Sequence, residues 1–286
     1  MQKIVIAGCG YIGFRVADLW RKRGAEVTCL VRTPEKIENL AKDGYQVIPF
    51  DIPESFTPPD LNNSLLYYFV PPPGGGISDT RARTFLEALD NIQNPAKIIY
   101  MSATSVYSET KGGVVTEESP TEPSSAMGKR RLDAENAYRD YCLQKNIPVF
   151  ILRVSGIYGS GRLPLMQIEK GEPLLSEDEA GSSNRIHADD LADICVTAGQ
   201  RCLSSDIINV SDGHPASMTD YFNAVADTLG LPRQPQVTLE EARRLMSPLM
   251  FSYVSESRIV DNSRMLEKLG VALRYSDFKD GLKASI

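Results

Sequence analysis

Histidine, tryptophan and long hydrophobic runs are scarce in this chain of 286 residues. It contains two histidines and one tryptophan, and none of its cysteines forms a Cys-x-x-Cys pair, so the usual ligand patterns of a metal site are missing. No stretch approaches the roughly 18 to 20 uninterrupted apolar residues that span a bilayer. We therefore expect neither a metal site nor a membrane-spanning helix.

Positive charge is also in short supply. Lys and Arg number 31 against 37 Asp and Glu, which gives a formal net charge of −6. Proteins that bind nucleic acid present a basic face, so the expected partner is a small molecule rather than a nucleic acid. The cysteines are odd in number and lie in apolar segments, as is typical of core residues. They are Cys9, Cys29, Cys142, Cys195 and Cys202.

A strand-like run near the N-terminus predicts that a globular domain begins there. The first strand-like run begins at Ile4, which leaves no room for a leader peptide before it. The composition, 42% apolar and 24% charged, is ordinary for a globular protein. We therefore expect a cytoplasmic protein.

The most informative motif is a G-x-G-x-x-G string at residues 8–13, the glycine loop. It follows the apolar run Ile4–Ala7 and precedes a helical pattern over Tyr11–Arg23. At that place Gly8 permits a tight turn, Gly10 lets a pyrophosphate approach the backbone, and Gly13 lets the helix pack closely on the strand. The N–H groups of the helix start, at Tyr11 and Ile12, favour the phosphates. The motif predicts a dinucleotide-binding Rossmann domain.

The alternation of strand-like and helix-like segments supports an α/β fold, a doubly wound parallel sheet. After Ser211 this alternation stops, and residues 159–184 are irregular. We expect a Rossmann domain over 1–153 plus 186–210. A smaller substrate domain is expected over 154–185 plus 211–286, as a cap over the carboxyl ends of the strands.

The end of the second strand indicates the nucleotide. Arg32 lies about 20 residues beyond the glycine loop, where an acid would bond the ribose 2′-hydroxyl and an arginine accommodates a 2′-phosphate. This favours NADP, with Lys36 one helical turn away; the alternative is NAD, with Arg32 stacked on adenine. Val70 and Ser102, which end the fourth and fifth strands, are expected at the same edge of the sheet.

Four motifs together resemble the extended short-chain dehydrogenase/reductase superfamily, of the NAD-dependent epimerase/dehydratase type. Beside the glycine loop these are M-S-A-T-S-V-Y at Met101–Tyr107, I-L-R-V-S-G-I-Y-G at Ile151–Gly159 and R-I-H-A-D-D-L-A at Arg185–Ala192. The resemblance implies hydride transfer on a sugar-like or nucleotide-linked substrate. It also implies that Asp51, after the third strand, contacts the adenine.

The catalytic pattern of that superfamily is incomplete here. Its members pair Y-x-x-x-K with an upstream Ser or Thr. In one register Met127 stands at the tyrosine position and Arg131 at the lysine position. A shift by two residues recovers Lys129 but places Ser125 at the tyrosine position and loses the glycine, so neither register supplies a tyrosine. Ala103 occupies the Ser/Thr position, and the adjacent Thr104 would point to the other side of a strand. Methionine cannot donate a proton, so the sequence resembles an atypical branch that lacks the tyrosine.

Substitutes for the missing groups are present, each with a structural alternative. Tyr107 and Tyr158 could donate a proton or serve in packing, and Thr104 could hold a reacting oxygen. Lys129 could act as a point charge near the nicotinamide ribose or be a solvated helix residue. His187 is expected in a structural role rather than as an acid–base group.

Three arginines are candidates for holding a substrate phosphate. A guanidinium can bind a phosphate through two parallel hydrogen bonds, which suits Arg153, Arg162 and Arg185. A structural salt bridge is the alternative for each.

The leading hypothesis is an NADP-preferring epimerase/dehydratase-like oxidoreductase with a non-standard catalytic set. The rival is a protein that binds NADP(H) without hydride chemistry, as a redox sensor or regulator; an isomerase or lyase that retains its cofactor is a third alternative. Members of the superfamily often dimerise through a four-helix bundle. The corresponding helix carries Arg130, Arg131 and Arg139, so a homodimer stays an open alternative.

Overall fold

The structure is a computed structural model that describes residues 1–51, 58–90 and 92–286. These residues form two compact units. Unit 1 consists of Met1–Val106, Glu122–Arg153 and Leu191–Ile208. Unit 2 consists of Tyr107–Thr121, Val154–Asp190 and Asn209–Ile286. The division of roles between a dinucleotide-binding and a substrate domain stays a prediction.

The described residues contain both strands and helices throughout. The strands are β1 (Lys3–Ala7), β2 (Glu26–Val31), β3 (Gln46–Pro49), β4 (Ser64–Tyr68), β5 (Lys97–Ala103), β6 (Lys111–Val115), β7 (Val149–Val154), β8 (Gly156–Tyr158), β9 (Leu174–Leu175), β10 (Ser182–Ser183), β11 (Arg185–His187), β12 (Asp206–Val210), β13 (Ala216–Ser217), β14 (Gln236–Val237) and β15 (Ser257–Val260). The helices are α1 (Tyr11–Lys22), α2 (Pro34–Lys42), α3 (Thr80–Leu89), α4 (Ala126–Lys145), α5 (Leu165–Glu169), α6 (Ala188–Arg201), α7 (Met218–Leu229), α8 (Leu239–Leu245), α9 (Pro248–Ser255), α10 (Ser263–Leu269) and α11 (Phe278–Lys283).

A seven-stranded sheet forms the centre of the fold, in the order β12-β7-β5-β4-β1-β2-β3. Strand β1 pairs in parallel with β2 and β4, and the pairs β2–β3 and β4–β5 are parallel as well. The strand order therefore reverses beside β1, which is the place where open α/β sheets bind ligands at the carboxyl ends of their strands. The predicted parallel α/β sheet is confirmed.

Burial on both faces explains why the strands of this sheet read as apolar runs. All five residues of β4 are buried, and so are the last four of β1. Helix α1 covers the sheet with Val16, Ala17 and Trp20, and the Trp20 indole donates a hydrogen bond of 2.9 Å to the buried Tyr67 hydroxyl. This satisfied polar pair fixes how α1 lies on the strands of unit 1.

Unit 2 is built from helices and short paired strands. Strands β6–β15, β8–β11 and β9–β14 pair in parallel, and β10–β13 pair antiparallel. Helix α7 starts with a capping box between Ser217 and Asp220 and ends at Gly230 in the left-handed conformation. Its buried face joins an aromatic core with Tyr158 and Phe278.

Length and apolar character do not combine in any helix of the described residues to the degree that a bilayer crossing requires.

Candidate functional site

The glycine loop makes close backbone contacts at the carboxyl ends of the strands. Gly8 has a φ of +85°, and a Cβ on it would lie 2.8 Å from the backbone N of Val70. A Cβ on Gly13 would lie 2.8 Å from the carbonyl O of Gly8 and 3.2 Å from Ile6. Both glycines are therefore required by the packing of the loop, Gly8 against the segment after β4 and Gly13 against β1.

Gly10 differs from the other two glycines because its surroundings are open. A Cβ there would meet only the Gly8 carbonyl O, at 3.9 Å. Gly10 is the N-cap of α1, no side chain caps the helix, and its first turn has no acidic residue. Tyr11 and Ile12 therefore begin a helix whose N–H groups and positive dipole end suit an anion. This cradle fits the pyrophosphate of a dinucleotide.

Two of the predicted cofactor residues are brought together by the pairing of β2 and β3. Arg32 directly follows β2, Asp51 lies just beyond β3, and Val31 is in register with Pro49. The Arg32 guanidinium lies 3.9 Å from the Asp51 carboxylate, and both side chains are about half exposed. An exposed cation and anion are thus held side by side, near the end of β2 where the ribose of a dinucleotide binds.

Two further predicted cofactor residues, Val70 and Ser102, lie after β4 and at the end of β5. Val70 is half-buried and packs against the core of unit 1. Ser102 is buried, and its hydroxyl donates a 2.6 Å hydrogen bond to Oε1 of Glu135 in α4. The Ser102 side chain is therefore engaged within the protein.

Glu135 also holds Arg153 in a buried ion pair. The Arg153 Nη2 lies 2.8 Å from Glu135 Oε2, and its Nε donates to Oε1 at 3.1 Å. The two side chains are 4% and 1% exposed. The structure places Arg153 in the core that joins β5, α4 and β7, which favours the salt-bridge alternative over a substrate clamp.

The N-terminus of α4 carries Met127 and Arg131, the residues predicted to stand at the catalytic positions. Ser125 caps the helix by accepting a 3.1 Å hydrogen bond from the N–H of Gly128, and a Cβ on Gly128 would overlap the carbonyl O of Ser105. Met127, in this first turn, is half-buried. The Arg131 guanidinium donates to the carbonyl O of Met101 at 3.0 Å. The helix start is therefore locked onto the end of β5.

Thr104 lies in a single 3-10 turn, Thr104–Val106, because β5 ends at Ala103. The expectation that strand alternation turns Thr104 away is wrong, since residue 104 is no longer part of a strand. Thr104 is half-buried. Lys129 is exposed in the first turn of α4. These are the two catalytic candidates of unit 1.

The loop after β4 is tied to the same helix. Residues 71–76 read P-P-P-G-G-G, and the Arg130 guanidinium donates to the carbonyl O of Gly76 at 2.8 Å. Arg81 of α3 donates to the carbonyl O of Pro71 at 3.2 Å. A string that could have been a plain surface loop is therefore held by cations from α3 and α4.

Both candidate tyrosines are buried in unit 2. The Tyr107 hydroxyl donates a 2.5 Å hydrogen bond to Oδ1 of Asn209, and the Asn209 side chain is fully buried. Tyr158 packs against His187 and leaves no room for a side chain at Gly281. Burial raises the pKa of the Tyr158 hydroxyl well above its ordinary value. This placement favours the packing alternative for both rings.

Arg185 is enclosed as well. Its guanidinium donates to the carbonyl oxygens of Ala216 and Ser217 at 3.1 and 3.0 Å and lies 4.5 Å from the Tyr221 ring centroid. Burial lowers the pKa of Arg185 to about 10. Arg162, by contrast, is exposed in the turn before α5. Of the three predicted substrate arginines, Arg162 is the one that solvent reaches.

His187 links parts of unit 2 through both of its ring nitrogens. Its Nδ1 accepts from the N–H of Asp189 at 3.2 Å, and its Nε2 lies 3.2 Å from the Ser285 hydroxyl. The Ser285 hydroxyl donates to the carbonyl O of Gly281, so it accepts the proton of Nε2. Both ring nitrogens are engaged, in line with the expected structural role.

Asp212 is a buried carboxylate that the sequence did not single out. It accepts a 3.0 Å hydrogen bond from the N–H of His214 through Oδ1, whereas Oδ2 is buried without a partner among the described residues. Burial raises the pKa of Asp212 to about 6, and the hydrogen bond from the N–H of His214 and the positive charge of Arg185 oppose the rise. The only sequence signal was its place in the string I-N-V-S-D-G.

Three or more His, Cys, Asp or Glu side chains do not converge into a metal-ligating cluster anywhere in the described ranges.

Known proteins resemble the chain in sequence along its whole length. Residues 80–211 match the model of the NAD dependent epimerase/dehydratase family. Protein YeeZ of Escherichia coli strain K12 is 26% identical over 291 residues, which cover 97% of each protein.

Solved structures share the fold. A functionally unknown conserved protein from Silicibacter pomeroyi DSS has a TM-score of 0.83 at 26% identity, over 99% of this chain and 98% of that one. The UDP-glucuronic acid 4-epimerase from Bacillus cereus, in complex with NAD, has a TM-score of 0.77 at 22% identity, over 99% and 97%. The match over residues 80–211 and the shared Rossmann-like sheet make the chain similar to the NAD dependent epimerase/dehydratase family.

Proposed function

We propose that this protein binds a nicotinamide dinucleotide at its glycine loop and acts as an epimerase/dehydratase-like oxidoreductase. The observation that carries the proposal is the contrast among the three glycines. Gly8 and Gly13 have no room for a Cβ, whereas Gly10 is open beside a helix N-terminus that no side chain caps. A loop required only for packing has no need of the third, open glycine. NAD-bound epimerase structures with the same fold support the proposal.

The preferred cofactor is NADP, with NAD as the alternative. Arg32 is exposed at the end of β2, where a 2′-phosphate would need a cation, and Lys36 is exposed on α2. Asp51 lies 3.9 Å from Arg32 and keeps that guanidinium near the strand end. In this proposal Gly10, Tyr11 and Ile12 hold the phosphates, Asp51 the adenine, and Val70 and Ser102 shape the nicotinamide side.

The substrate is proposed to be sugar-like or nucleotide-linked. The cofactor supplies hydride exchange at a hydroxyl or carbonyl carbon when it is bound. What this chain's own residues must supply is a proton-handling group, and Met127 cannot be one. Lys129 is exposed and Thr104 half-buried in unit 1, so these two are proposed to orient the reacting oxygen. Arg162 is the arginine proposed to hold an anionic part of the substrate.

A second function, a non-catalytic NADP(H) sensor, is favoured by a specific observation. Arg131 stands where the superfamily has its catalytic lysine, and its guanidinium is bonded to the carbonyl O of Met101. Such a bond fixes α4 on β5 and holds the cation at the backbone. A sensor would bind the dinucleotide tightly and turn nothing over.

Binding and turnover together test the proposal. Purified protein is titrated with NADP, NADPH, NAD and NADH by calorimetry or nicotinamide fluorescence, and is then assayed with nucleotide sugars, keto-sugars and aldehydes. We expect binding with NADP(H) preferred, and cofactor-dependent turnover that Lys129→Met reduces without changing dinucleotide affinity. Binding without turnover across these substrate classes would favour the sensor. Absence of binding to all four nucleotides would overturn both functions.

A further inference from the structure

Two cysteines meet directly behind the glycine loop. Cys9 is the residue between Gly8 and Gly10, and Cys29 lies in β2. Their Sγ atoms are 3.1 Å apart, whereas a disulfide bond has about 2.05 Å between its sulfurs. The two sulfur atoms would therefore have to approach each other by about 1 Å to form a disulfide bond.

The backbone around the pair couples this displacement to the loop. The N–H groups of Gly8 and Cys9 both donate to the carbonyl O of Leu30, at 3.1 and 3.3 Å, so the loop is fixed to β2 beside Cys29. On its other side Gly8 is in contact with the backbone at Val70. A loop confined on both sides cannot move its Cys9 toward Cys29 without also moving Gly10 and the start of α1.

Burial protects the two thiols from oxidants in solution. Cys9 and Cys29 are both buried, and their mutual hydrogen bond, with burial, raises the pKa of the Cys9 thiol. The thiolate is the reactive form of cysteine, so the buried pair reacts slowly. Of the described cysteines, Cys202 is the one that is partly exposed, and it lies after α6, in a different part of the chain.

We propose that Cys9 and Cys29 form a reversible disulfide that releases the dinucleotide, a redox-sensitive modification site within the cofactor loop. The oxidant is of the hydroperoxide class. One thiol attacks the peroxide, the O–O bond breaks and an alcohol leaves; the second thiol then displaces water from the resulting sulfenic acid and the S–S bond forms. Two thiols and one hydroperoxide thus give one disulfide, one alcohol and one water, and a small thiol reverses the change.

The consequence follows from where the loop moves. Shifting the start of α1 by about 1 Å takes its N–H groups out of hydrogen-bond distance of a phosphate, since such bonds have donor–acceptor distances of about 2.7 to 3.2 Å. The inference rests on the proposed function, because it regulates the same dinucleotide site. If the disulfide weakens dinucleotide binding, bound dinucleotide must disfavour disulfide formation to the same extent. Bound dinucleotide should therefore slow the oxidation.

The test uses the full-length chain carrying Cys202→Ser, which removes the partly exposed thiol. Protein is treated with tert-butyl hydroperoxide with and without saturating NADPH, and peptide mass spectrometry locates any disulfide. We expect a Cys9–Cys29 linkage that forms more slowly with NADPH, an NADPH Kd that rises at least about tenfold on oxidation, and recovery with dithiothreitol.

Cys29→Ala is the matched control, and its thermal unfolding verifies that it folds. It should bind NADPH as its parent does and keep that affinity after peroxide treatment; Cys29→Val serves if the alanine variant unfolds. Absence of the linkage in cofactor-free protein, or a linkage that leaves Kd unchanged, overturns the inference. Failure of the reduced protein to bind any nicotinamide dinucleotide instead overturns the proposed function, and the linkage is still decided by the mass measurement.

Discussion

The two units of this protein use their polar residues differently. In unit 1 Arg32, Asp51 and Lys129 are exposed, and the start of α1 has no side-chain cap. In unit 2 Arg185 and His187 are buried and bonded to backbone and hydroxyl groups. Residues of similar chemistry were predicted to contact ligands in both units, yet only unit 1 leaves most of them available to a ligand.

The difference teaches that the position of a charged residue in a sequence motif does not predict whether its side chain is exposed. Arg185 and Arg153 both lie near strand ends within recognisable motifs. The guanidinium of each donates hydrogen bonds to partners in its own unit. Burying a charge is costly unless it is paired and hydrogen-bonded, so such residues are read most safely as structural. The following experiments separate structural from ligand-binding residues, in order of decreasing effect.

Breaking the buried pair of unit 1 should have the largest effect. Glu135→Ala leaves the Arg153 cation buried without its carboxylate, and should lower the free energy of unfolding by about 3 to 5 kcal/mol. Replacing both partners, Glu135→Leu with Arg153→Met, should recover most of the loss. Chemical denaturation measures both changes.

The matched control is the pair Arg83–Asp133, which joins α3 to the same helix and whose arginine is half exposed. Arg83→Met should cost about 1 kcal/mol or less. A small cost for Glu135→Ala would contradict the structural assignment and return Arg153 to the substrate candidates.

The glycines of the loop should separate stability from binding. Gly8→Ala places a Cβ 2.8 Å from the Val70 N at a φ of +85°, and should destabilise unit 1 by about 2 to 4 kcal/mol. Gly10→Ala meets only one atom, at 3.9 Å, and should leave the midpoint of thermal unfolding nearly unchanged while weakening dinucleotide binding. Equal effects of the two changes on unfolding and on Kd would refute the assignment of Gly10 to the pyrophosphate.

Asp212 should give unit 2 a pH-dependent stability. Its pKa of about 6 in the folded protein exceeds the unfolded value, so its contribution is favourable when protonated and is lost as pH rises from about 4 through 6. Asp212→Asn should therefore be more stable than the parent by about 2 kcal/mol at pH 8 and similar to it at pH 4. Urea unfolding at both pH values measures this.

The exposed Asp178→Asn provides the control, with no such pH-dependent difference expected. A parallel pH dependence for parent and Asp212→Asn would contradict the raised pKa of Asp212.

The smallest effect is expected at Arg32. Arg32→Ala should weaken NADP binding about 10- to 100-fold, the range of one charge-assisted hydrogen bond, and leave NAD binding within about threefold. Lys42→Ala, an exposed cation at the far end of α2, should change neither. Equal losses for NADP and NAD would place Arg32 on the adenine.

Much of unit 1 could be predicted because its signals are local. The run before Gly8, the glycine spacing and the apolar strands follow from what a parallel strand and a close helix approach demand of each residue. Thr104 shows the limit: it was expected to follow strand alternation, yet β5 ends at Ala103 and Thr104 begins a 3-10 turn whose Ser105 carbonyl O lies against Gly128 of α4.

By itself the sequence determined the parallel α/β sheet and the glycine loop at its carboxyl ends, because each depends on residue type and short spacing. Only the tertiary structure decided that Arg153 meets Glu135, that Tyr107 meets Asn209 and that Cys9 meets Cys29. These partners are far apart along the chain, and which polar groups share a buried volume depends on the packing of whole elements.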